Sequence, residues 1–218
     1  MTRARIVFDL DGTLIDSAPD IRGVANMLLK QEGKAPITLA QTHSFIGNGM
    51  PVFVQKMSAL REIPEDRHSD LVQKFEDAYH GAVSLTECYP GVGETLDSLH
   101  GAHCLGICTN KPIGPCKAVL KHLKIDHFFD AVFGGDSLPV RKPDPAPLQA
   151  TFEAMGTGPC LYVGDSEVDA ETAQRAGVPF LLFTEGYLKT TPEQTPHRIK
   201  FDSFADLPRL VEQVLSQG

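Results

Sequence analysis

The chain has no apolar run long enough to cross a membrane and no long run of basic residues. Only a short apolar stretch precedes Asp9, and it is too short to be the core of a signal peptide. The formal net charge of −8 argues against a general binder of nucleic acids, because such proteins neutralise phosphates with Lys and Arg. We therefore expect neither a membrane nor a nucleic acid as a partner.

The sequence also lacks two motifs that would point to other chemistries. The five cysteines are odd in number and include no CxxC pair, and three of them lie in apolar runs. We expect buried thiols in a reducing, cytoplasmic compartment, with a catalytic thiol as the less favoured alternative. No Gly-rich loop ending in Gly-Lys-Ser/Thr is present, which argues against nucleotide hydrolysis by that route.

The chain has 218 residues, of which 42% are hydrophobic. This is enough apolar sequence for the core of one large domain or of two small ones. Residues 17–85 show helical spacing throughout, and Ser17 and Pro19 are suited to the first helix's N-terminus. From residue 86 onward, predicted strands, among them 104–108 and 128–133, alternate with predicted helices. This pattern predicts a doubly wound, Rossmann-like α/β core with a mostly parallel sheet, formed by 1–16 and 86–218, and an inserted helical domain at 17–85.

Polar residues follow several of the predicted strands at the point where each strand ends. Because right-handed crossovers bring the carboxyl ends of parallel strands to one edge, these residues should converge. Each one alone fits an ordinary turn, but that interpretation explains the whole set poorly. The converging set is Asp9, Asp11, Thr109, Asn110, Asp165 and Asp169, with Lys142 nearby in a Pro-fixed loop.

The chemistry of this set favours phosphate esters. Asp9, Asp11 and Asp165 offer only oxygen ligands, which suit Mg²⁺ better than zinc. Phosphoryl transfer requires charge neutralisation and an in-line nucleophile, and a carboxylate can attack to form an aspartyl phosphate. Lys142 supplies positive charge and Thr109 a hydroxyl donor.

The order of the motifs resembles the haloacid dehalogenase superfamily. Four segments carry the resemblance across almost the whole chain: Asp-Leu-Asp-Gly-Thr at 9–13, Thr-Asn at 109–110, Lys-Pro at 142–143, and Gly-Asp-Ser with a further Asp at 164–169. The helical insert resembles that family's α-helical cap domain. Further phrases are similar to bacterial phosphoglycolate phosphatases: Phe-Ile-Gly-Asn-Gly at 45–49, Tyr-Pro-Gly-Val at 89–92 and Arg-Lys-Pro-Asp-Pro at 141–145.

The resemblance implies a role for each acidic residue. Asp9 would be the nucleophile and a ligand of Mg²⁺, and Asp11 would be the general acid and base, binding the metal through its backbone carbonyl. Asp165 would be the third protein ligand. Asp169, one helical turn later, would support a metal-bound water or Lys142.

The resemblance also implies how the phosphate is held. Thr109 and Asn110 would bind it, and Lys142 would pair with both Asp9 and the phosphate. An acid at position 11 favours phosphate chemistry over dehalogenation, because dehalogenases of this superfamily lack it.

Residues that would contact the remainder of the substrate are less certain from sequence. His43, Asn48 and Lys111 could reach it from the cap or a loop, although Gly47-Asn48-Gly49 is equally well explained as a turn. Lys111 or Arg141 could pair with a substrate carboxylate, or either could be an ordinary surface charge.

These expectations describe a Mg²⁺-dependent phosphatase that acts on a small phosphate monoester such as 2-phosphoglycolate. The alternatives are a sugar-phosphate phosphatase, a β-phosphoglucomutase-like isomerase, and a phosphate-responsive regulatory protein without turnover. The sequence leaves monomer and homodimer both open.

Overall fold

A computed structural model describes residues 3–217 of the chain. Its strands are β1 (Arg5–Phe8), β2 (Ile15–Asp16), β3 (Glu87–Cys88), β4 (Cys104–Cys108), β5 (Ala131–Phe133), β6 (Cys160–Gly164), β7 (Phe180–Phe183) and β8 (Ile199–Phe201). Its α-helices are α1 (Ala18–Gln31), α2 (Leu39–Phe45), α3 (Met50–Leu60), α4 (His68–Tyr79), α5 (Val92–His100), α6 (Ile113–His122), α7 (Ala146–Ala154), α8 (Glu167–Ala176) and α9 (Leu207–Leu215). Within this part of the chain, no helix combines the length and the apolar character needed to cross a membrane.

Six strands form one parallel sheet in the order β5-β4-β1-β6-β7-β8. Alternate residues of each strand face opposite sides, so Ile6 and Phe8 pack with α5, α6 and α9, while Val7 packs with α7 and α8. Both faces are therefore covered, as a parallel sheet requires. The predicted doubly wound α/β core is confirmed.

The register of the central strands sets the position of the site. Phe8 of β1 lies opposite Ile107 of β4 and Val163 of β6, so these strands end nearly level. The Asp9 backbone N–H donates to Val163 O at 2.9 Å and holds Asp9 at that shared edge. The loops after β1, β4 and β6 therefore meet at one place, as the sequence predicts.

The helices α1 to α4 form a hydrophobic cluster separate from the two clusters that cover the sheet. Leu71 and Phe75 of α4 pack with Phe53 and Met57 of α3 in this cluster. A short antiparallel ribbon joins the helices to the core, because β2 pairs with β3 where the insert begins and ends. This arrangement supports the proposed cap at 17–85.

Two local predictions differ from the structure. Ser17 precedes α1, but its hydroxyl makes no capping bond to the helix; it donates instead to Asp11 Oδ1 at 2.6 Å. The apolar segment 128–133 is a strand only from Ala131, because Asp126–Phe128 forms a 3-10 turn that brings Phe128 into the core.

Candidate active site

The loop after β1 is a tight turn that packs against the loops after β6 and β7. The Leu10 carbonyl accepts from the N–H groups of Thr13, Leu14 and Ile15, which folds the chain back on itself. Gly12 has φ of +90°, a conformation that L side chains rarely adopt. A Cβ atom at Gly12 would lie only 2.4 Å from Asp165 Oδ2, so only glycine allows this close approach.

Lys142 lies at the bottom of the site, almost fully buried, with three partners. Its Nζ is 2.8 Å from Asp9 Oδ1 and donates to Asp169 Oδ1 at 2.7 Å and to Tyr162 OH at 2.9 Å. Tyr162 and Asp169 each accept a hydrogen bond from the ammonium, whereas Asp9 contacts it as an ion pair. The predicted pairing of Lys142 with Asp9 is present.

Asp169 uses both carboxylate oxygens within the protein. In addition to the contact with Lys142, Tyr162 OH donates to Oδ1 at 2.7 Å, and the Ser166 hydroxyl and backbone N–H donate to Oδ2 at 2.6 and 3.1 Å. Ser166 and Asp169 together form the capping box of α8. This geometry supports the predicted role of Asp169 as a partner of Lys142.

Asp165 is held by donors from two different loops. Thr13 Oγ1 donates to Oδ1 at 2.7 Å, and the Tyr187 backbone N–H donates to Oδ2 at 2.6 Å. The Tyr187 ring extends away toward the start of α1, where its hydroxyl donates to Asp16 Oδ1 at 2.6 Å and accepts from the N–H of Ser17 at 2.9 Å. One residue thus connects Asp165 to the base of the helical insert.

Burial and mutual repulsion raise the pKa of two of the three central carboxyl groups, Asp9 and Asp165. Burial raises the pKa of Asp9 to about 7, although Lys142 opposes the shift. Burial and the negative charges of Asp169 and Asp9 raise the pKa of Asp165 well above its ordinary value. For Asp169, burial acts in the same direction, but Lys142 and the hydrogen-bond donors outweigh it, so its pKa is lowered.

These residues fit a divalent cation. One oxygen from each of Asp9, Asp165 and Asp169 lies within 4.8 Å of the others, and all three residues are buried. Lys142 provides a single positive charge against three carboxylates, so an added charge of +2 would balance the group. The oxygen-only donor set suits a hard cation such as Mg²⁺. Each oxygen of Asp169 already accepts two hydrogen bonds, whereas each oxygen of Asp165 accepts one, so Asp9 and Asp165 are the carboxylates with lone pairs available for the ion.

Asp11 projects beside this group and contacts a second buried lysine. Ser17 Oγ and Lys111 Nζ donate to Asp11 Oδ1 at 2.6 and 3.0 Å. Lys111 Nζ also contacts the hydroxyl of Tyr79, the last residue of α4. Burial alone would lower the pKa of Lys111, but Asp11 and Tyr79 outweigh it and raise the pKa above its ordinary value.

The loop after β4 places Thr109 and Asn110 beside the same pocket. Thr109 is buried, and its Oγ1 accepts from the Lys111 N–H at 3.2 Å. The Asn110 amide donates to Lys142 O at 3.0 Å and to Gly47 O, in the helical insert, at 2.9 Å. The Asn110 side chain therefore joins the insert to the core, and its Oδ1 is buried without a hydrogen-bond partner among the described residues.

A pocket opens between the sheet edge and the helices. Its floor is polar, whereas its roof consists of apolar side chains from α1, α3, α4 and the loop before α3. The floor residues are Asp9, Asp11, Thr109, Asn110, Lys111 and Lys142, and the roof residues are Ile21, Ile46, Met50, Phe53, Phe75 and Tyr79.

The other substrate-contacting candidates lie farther from the floor. Gly47 and Gly49 line the pocket, but the half-buried Asn48 is outside the lining in the described structure. His43 stacks on Tyr187 with ring centroids 4.7 Å apart. Arg141 is exposed, and its guanidinium lies against Gly49.

Three tyrosines of the site belong to none of the sequence motifs and are not predicted from the sequence. Tyr162 lies within an apolar strand, Tyr79 in the insert, and Tyr187 in a loop after β7. Each contacts at least one residue that is distant in sequence: Tyr79 contacts Lys111, Tyr162 contacts Lys142 and Tyr187 contacts Asp16. Tyr162 alone could have been noticed, since a polar tip in a buried strand needs a partner.

Fold and site together define an α/β enzyme whose acidic centre lies at the carboxyl edge of a parallel sheet, beneath a helical insert. A family model described as haloacid dehalogenase-like hydrolase matches residues 6–183. The chain belongs to that family, and the predicted enzyme class, a hydrolase of phosphate monoesters, is confirmed.

Relatives match over nearly the whole chain. It is 46% identical over 215 residues to a phosphoglycolate phosphatase of Cereibacter sphaeroides, covering 97% of this chain and 99% of that protein. It is 35% identical to a phosphoglycolate phosphatase of Caulobacter vibrioides, covering 94% and 90% respectively. The crystal structure of a predicted phosphoglycolate phosphatase from Haemophilus somnus is similar with a TM-score of 0.89 and 33% identity, covering 97% of this chain and 99% of that one.

Proposed function

We propose that the enzyme is a Mg²⁺-dependent phosphatase that hydrolyses 2-phosphoglycolate to glycolate and phosphate through an aspartyl phosphate on Asp9. The observation that carries the proposal is the arrangement around one pocket floor: Asp9 paired with Lys142 at 2.8 Å, and Asp11 on the same floor. Such an arrangement would bring a nucleophile, a proton donor and a fixed positive charge within reach of one ligand.

In the first half-reaction, a carboxylate oxygen of Asp9 attacks phosphorus, and the bond from phosphorus to the ester oxygen breaks. Asp11 gives its proton to that oxygen, and the alcohol leaves. Lys142 holds the Asp9 carboxylate in place and offsets negative charge at the phosphoryl group. Thr109 is buried in the pocket lining, and its hydroxyl would donate to a phosphate oxygen.

In the second half-reaction, Asp11 accepts a proton from water as the water oxygen attacks the phosphorus of the aspartyl phosphate. The bond between phosphorus and the Asp9 oxygen breaks, which releases phosphate and restores both carboxyl groups. Asp9, Asp165 and the backbone carbonyl of Asp11 are the proposed ligands of Mg²⁺. When bound, the ion would supply charge neutralisation for the phosphate oxygens.

The choice of 2-phosphoglycolate is supported by the relatives, whose names state that substrate and which match over at least 90% of this chain. The polar floor also offers Lys111, a buried cation, for a small acid group. In this proposal the enzyme works in the cytoplasm, a reducing compartment in which its five free cysteines remain thiols.

A panel of phosphate esters tests the proposal. We expect kcat/KM with Mg²⁺ to be highest for 2-phosphoglycolate among 2-phosphoglycolate, glucose 6-phosphate, β-glucose 1-phosphate and p-nitrophenyl phosphate, and activity to vanish in excess chelator. Release of glucose 6-phosphate from β-glucose 1-phosphate would instead identify a mutase. A higher kcat/KM for a sugar phosphate would overturn the substrate, and full activity in chelator would overturn the metal.

A further inference from the structure

The helical insert contributes one polar side chain to the pocket roof that reaches the catalytic floor. Of the roof residues, Tyr79 alone carries a polar group, and its hydroxyl contacts Lys111 Nζ. Tyr79 is buried, with its ring packed beside Phe75 at 5.8 Å between centroids, so its hydroxyl is held in one position. The contact joins the insert to the loop after β4.

Lys111 has a hydrogen available beyond these contacts. Its ammonium carries three hydrogens, and the described structure gives Nζ two partners, Asp11 Oδ1 at 3.0 Å and Tyr79 OH. The side chain is only 4% exposed and lies at the pocket wall, so its charge is directed toward the pocket rather than toward water. A buried cation with an open donor is suited to an anionic group of the ligand.

The position of Lys111 matches the shape of the proposed substrate. Asp11 must lie within hydrogen-bond distance, about 2.6–3.2 Å, of the ester oxygen that it protonates. In 2-phosphoglycolate, a single methylene separates that oxygen from the carboxylate. The ammonium that contacts Asp11 is therefore beside the place where the substrate carboxylate must lie.

We propose that Lys111 and Tyr79 form a carboxylate-binding subsite, in which Lys111 supplies the charge and Tyr79 of the insert positions it. The proposal rests on the proposed function, and it names the residue pair by which the enzyme distinguishes 2-phosphoglycolate from esters with uncharged alcohols. In this arrangement Tyr79, rather than Asn48, is the residue of the insert that determines substrate choice. Among the described residues, the insert contributes no charged side chain to the pocket lining, so Lys111 supplies the charge.

The test compares 2-phosphoglycolate with 2-hydroxyethyl phosphate, which replaces the carboxylate by a neutral alcohol group. In wild-type enzyme we expect kcat/KM to favour 2-phosphoglycolate. Lys111→Met should lower kcat/KM for 2-phosphoglycolate by about 10- to 150-fold, chiefly through KM, which corresponds to a lost charged hydrogen bond of about 1.5–3 kcal/mol. For 2-hydroxyethyl phosphate the loss should be several-fold smaller.

Tyr79→Phe keeps the ring and removes only the hydroxyl. It should raise KM for 2-phosphoglycolate by about 5- to 10-fold and leave KM for 2-hydroxyethyl phosphate within twofold, in line with one hydrogen bond of about 1 kcal/mol. Lys117→Met serves as the control for charge, because Lys117 lies on the exposed side of α6 and outside the pocket. It should behave as wild type with both substrates.

The outcomes separate the two proposals. Suppose that the wild type prefers 2-phosphoglycolate but that Lys111→Met and Tyr79→Phe each lower kcat/KM equally for both substrates. This result would overturn the subsite and leave the proposed function intact. A wild type without that preference would overturn the proposed substrate, and the subsite with it. Thermal unfolding of each variant shows whether it is folded. If Lys111→Met does not fold, the kinetics of Tyr79→Phe alone test the subsite.

Discussion

At the scale of single residues, the site depends on groups that lie behind Asp9, the proposed nucleophile. Tyr162 is fully buried beneath the pocket floor and contacts both Lys142 Nζ and Asp169 Oδ1. It fixes the lysine that faces Asp9 without reaching the substrate. Hydrogen bonds of this supporting kind maintain the orientation of residues that bind or react.

Tyr162→Phe should therefore lower kcat by about 10-fold with little change in KM, because the lysine loses one of three partners while the pocket surface is unchanged. The free energy of unfolding should fall by about 1–3 kcal/mol, since a buried ammonium hydrogen is left without an acceptor. Steady-state kinetics and urea denaturation measure both effects. A variant with wild-type kcat would show that Asp169 alone holds the lysine.

The sequence predicts the proposed catalytic and metal-binding residues better than the residues that support them. Asp9, Asp165 and Lys142 follow strands or lie in a fixed loop, so convergence of strand ends brings them together. Ser17 shows the limit of local patterns, because its hydroxyl contacts Asp11 instead of capping a helix. The contacts of Tyr162 and Tyr187 join distant segments, and no periodicity in the sequence indicates them.

At the scale of elements, the loop between β1 and β2 depends on a glycine that is required for two reasons. Gly12 has φ of +90°, and a Cβ there would overlap Asp165 Oδ2. Gly33, after α1, has φ of +66° with open space around it. Substituting each glycine by alanine therefore compares backbone strain alone, at Gly33, with strain plus displacement of Asp165, at Gly12.

Gly33→Ala should lower the free energy of unfolding by about 1–2 kcal/mol, the cost of a left-handed conformation for an L side chain, and leave kcat unchanged. Gly12→Ala should have a comparable or larger effect on stability and also lower kcat by at least about 100-fold, because Asp165 must move. Thermal unfolding and kinetics on both variants check this. Equal activities would mean that Asp165 tolerates displacement.

The sequence predicts best the strands that are continuous apolar runs and the helices whose apolar residues recur at helical spacing. Strand β4 is predicted with its observed bounds, and helices α3 and α8 follow from their apolar spacing. Strand β8 and the β2–β3 ribbon escape prediction because they are two or three residues long, and only their pairing identifies them as strands. Their formation depends on neighbouring strands rather than on local preference.

At the scale of the whole molecule, the acidic centre opposes folding when no cation is bound. Repulsion and burial raise the folded-state pKa of Asp165 above its unfolded value. A raised carboxyl pKa means that ionisation costs more free energy in the folded state than in the unfolded state. The free energy of unfolding therefore falls as the pH rises from the unfolded-state pKa to the folded-state pKa.

Asp165→Asn should consequently raise the midpoint temperature of unfolding in chelator, more at pH 8 than at pH 5. Its amide can keep both hydrogen bonds, since the Thr13 hydroxyl can rotate to accept. Mg²⁺ should stabilise the wild type by about 2.7 kcal/mol at one hundred times its dissociation constant, and the variant by much less. Calorimetry with and without Mg²⁺ at both pH values is the measurement, and equal stabilisation of the two proteins would exclude Asp165 as a ligand.

The central claim is that Asp9 becomes covalently phosphorylated while Asp11 handles the proton. The most direct measurement is mass spectrometry of Asp11→Asn, quenched in acid after mixing with p-nitrophenyl phosphate and Mg²⁺. This variant keeps the nucleophile but lacks the base for the second step, so one phosphoryl group should accumulate. Trypsin releases residues 6–22 as one peptide, in which fragmentation locates the group. We predict phosphorylation on Asp9 and none in Asp9→Asn; a phosphoryl group on another residue, or turnover by Asp9→Asn at the wild-type rate, would contradict the account.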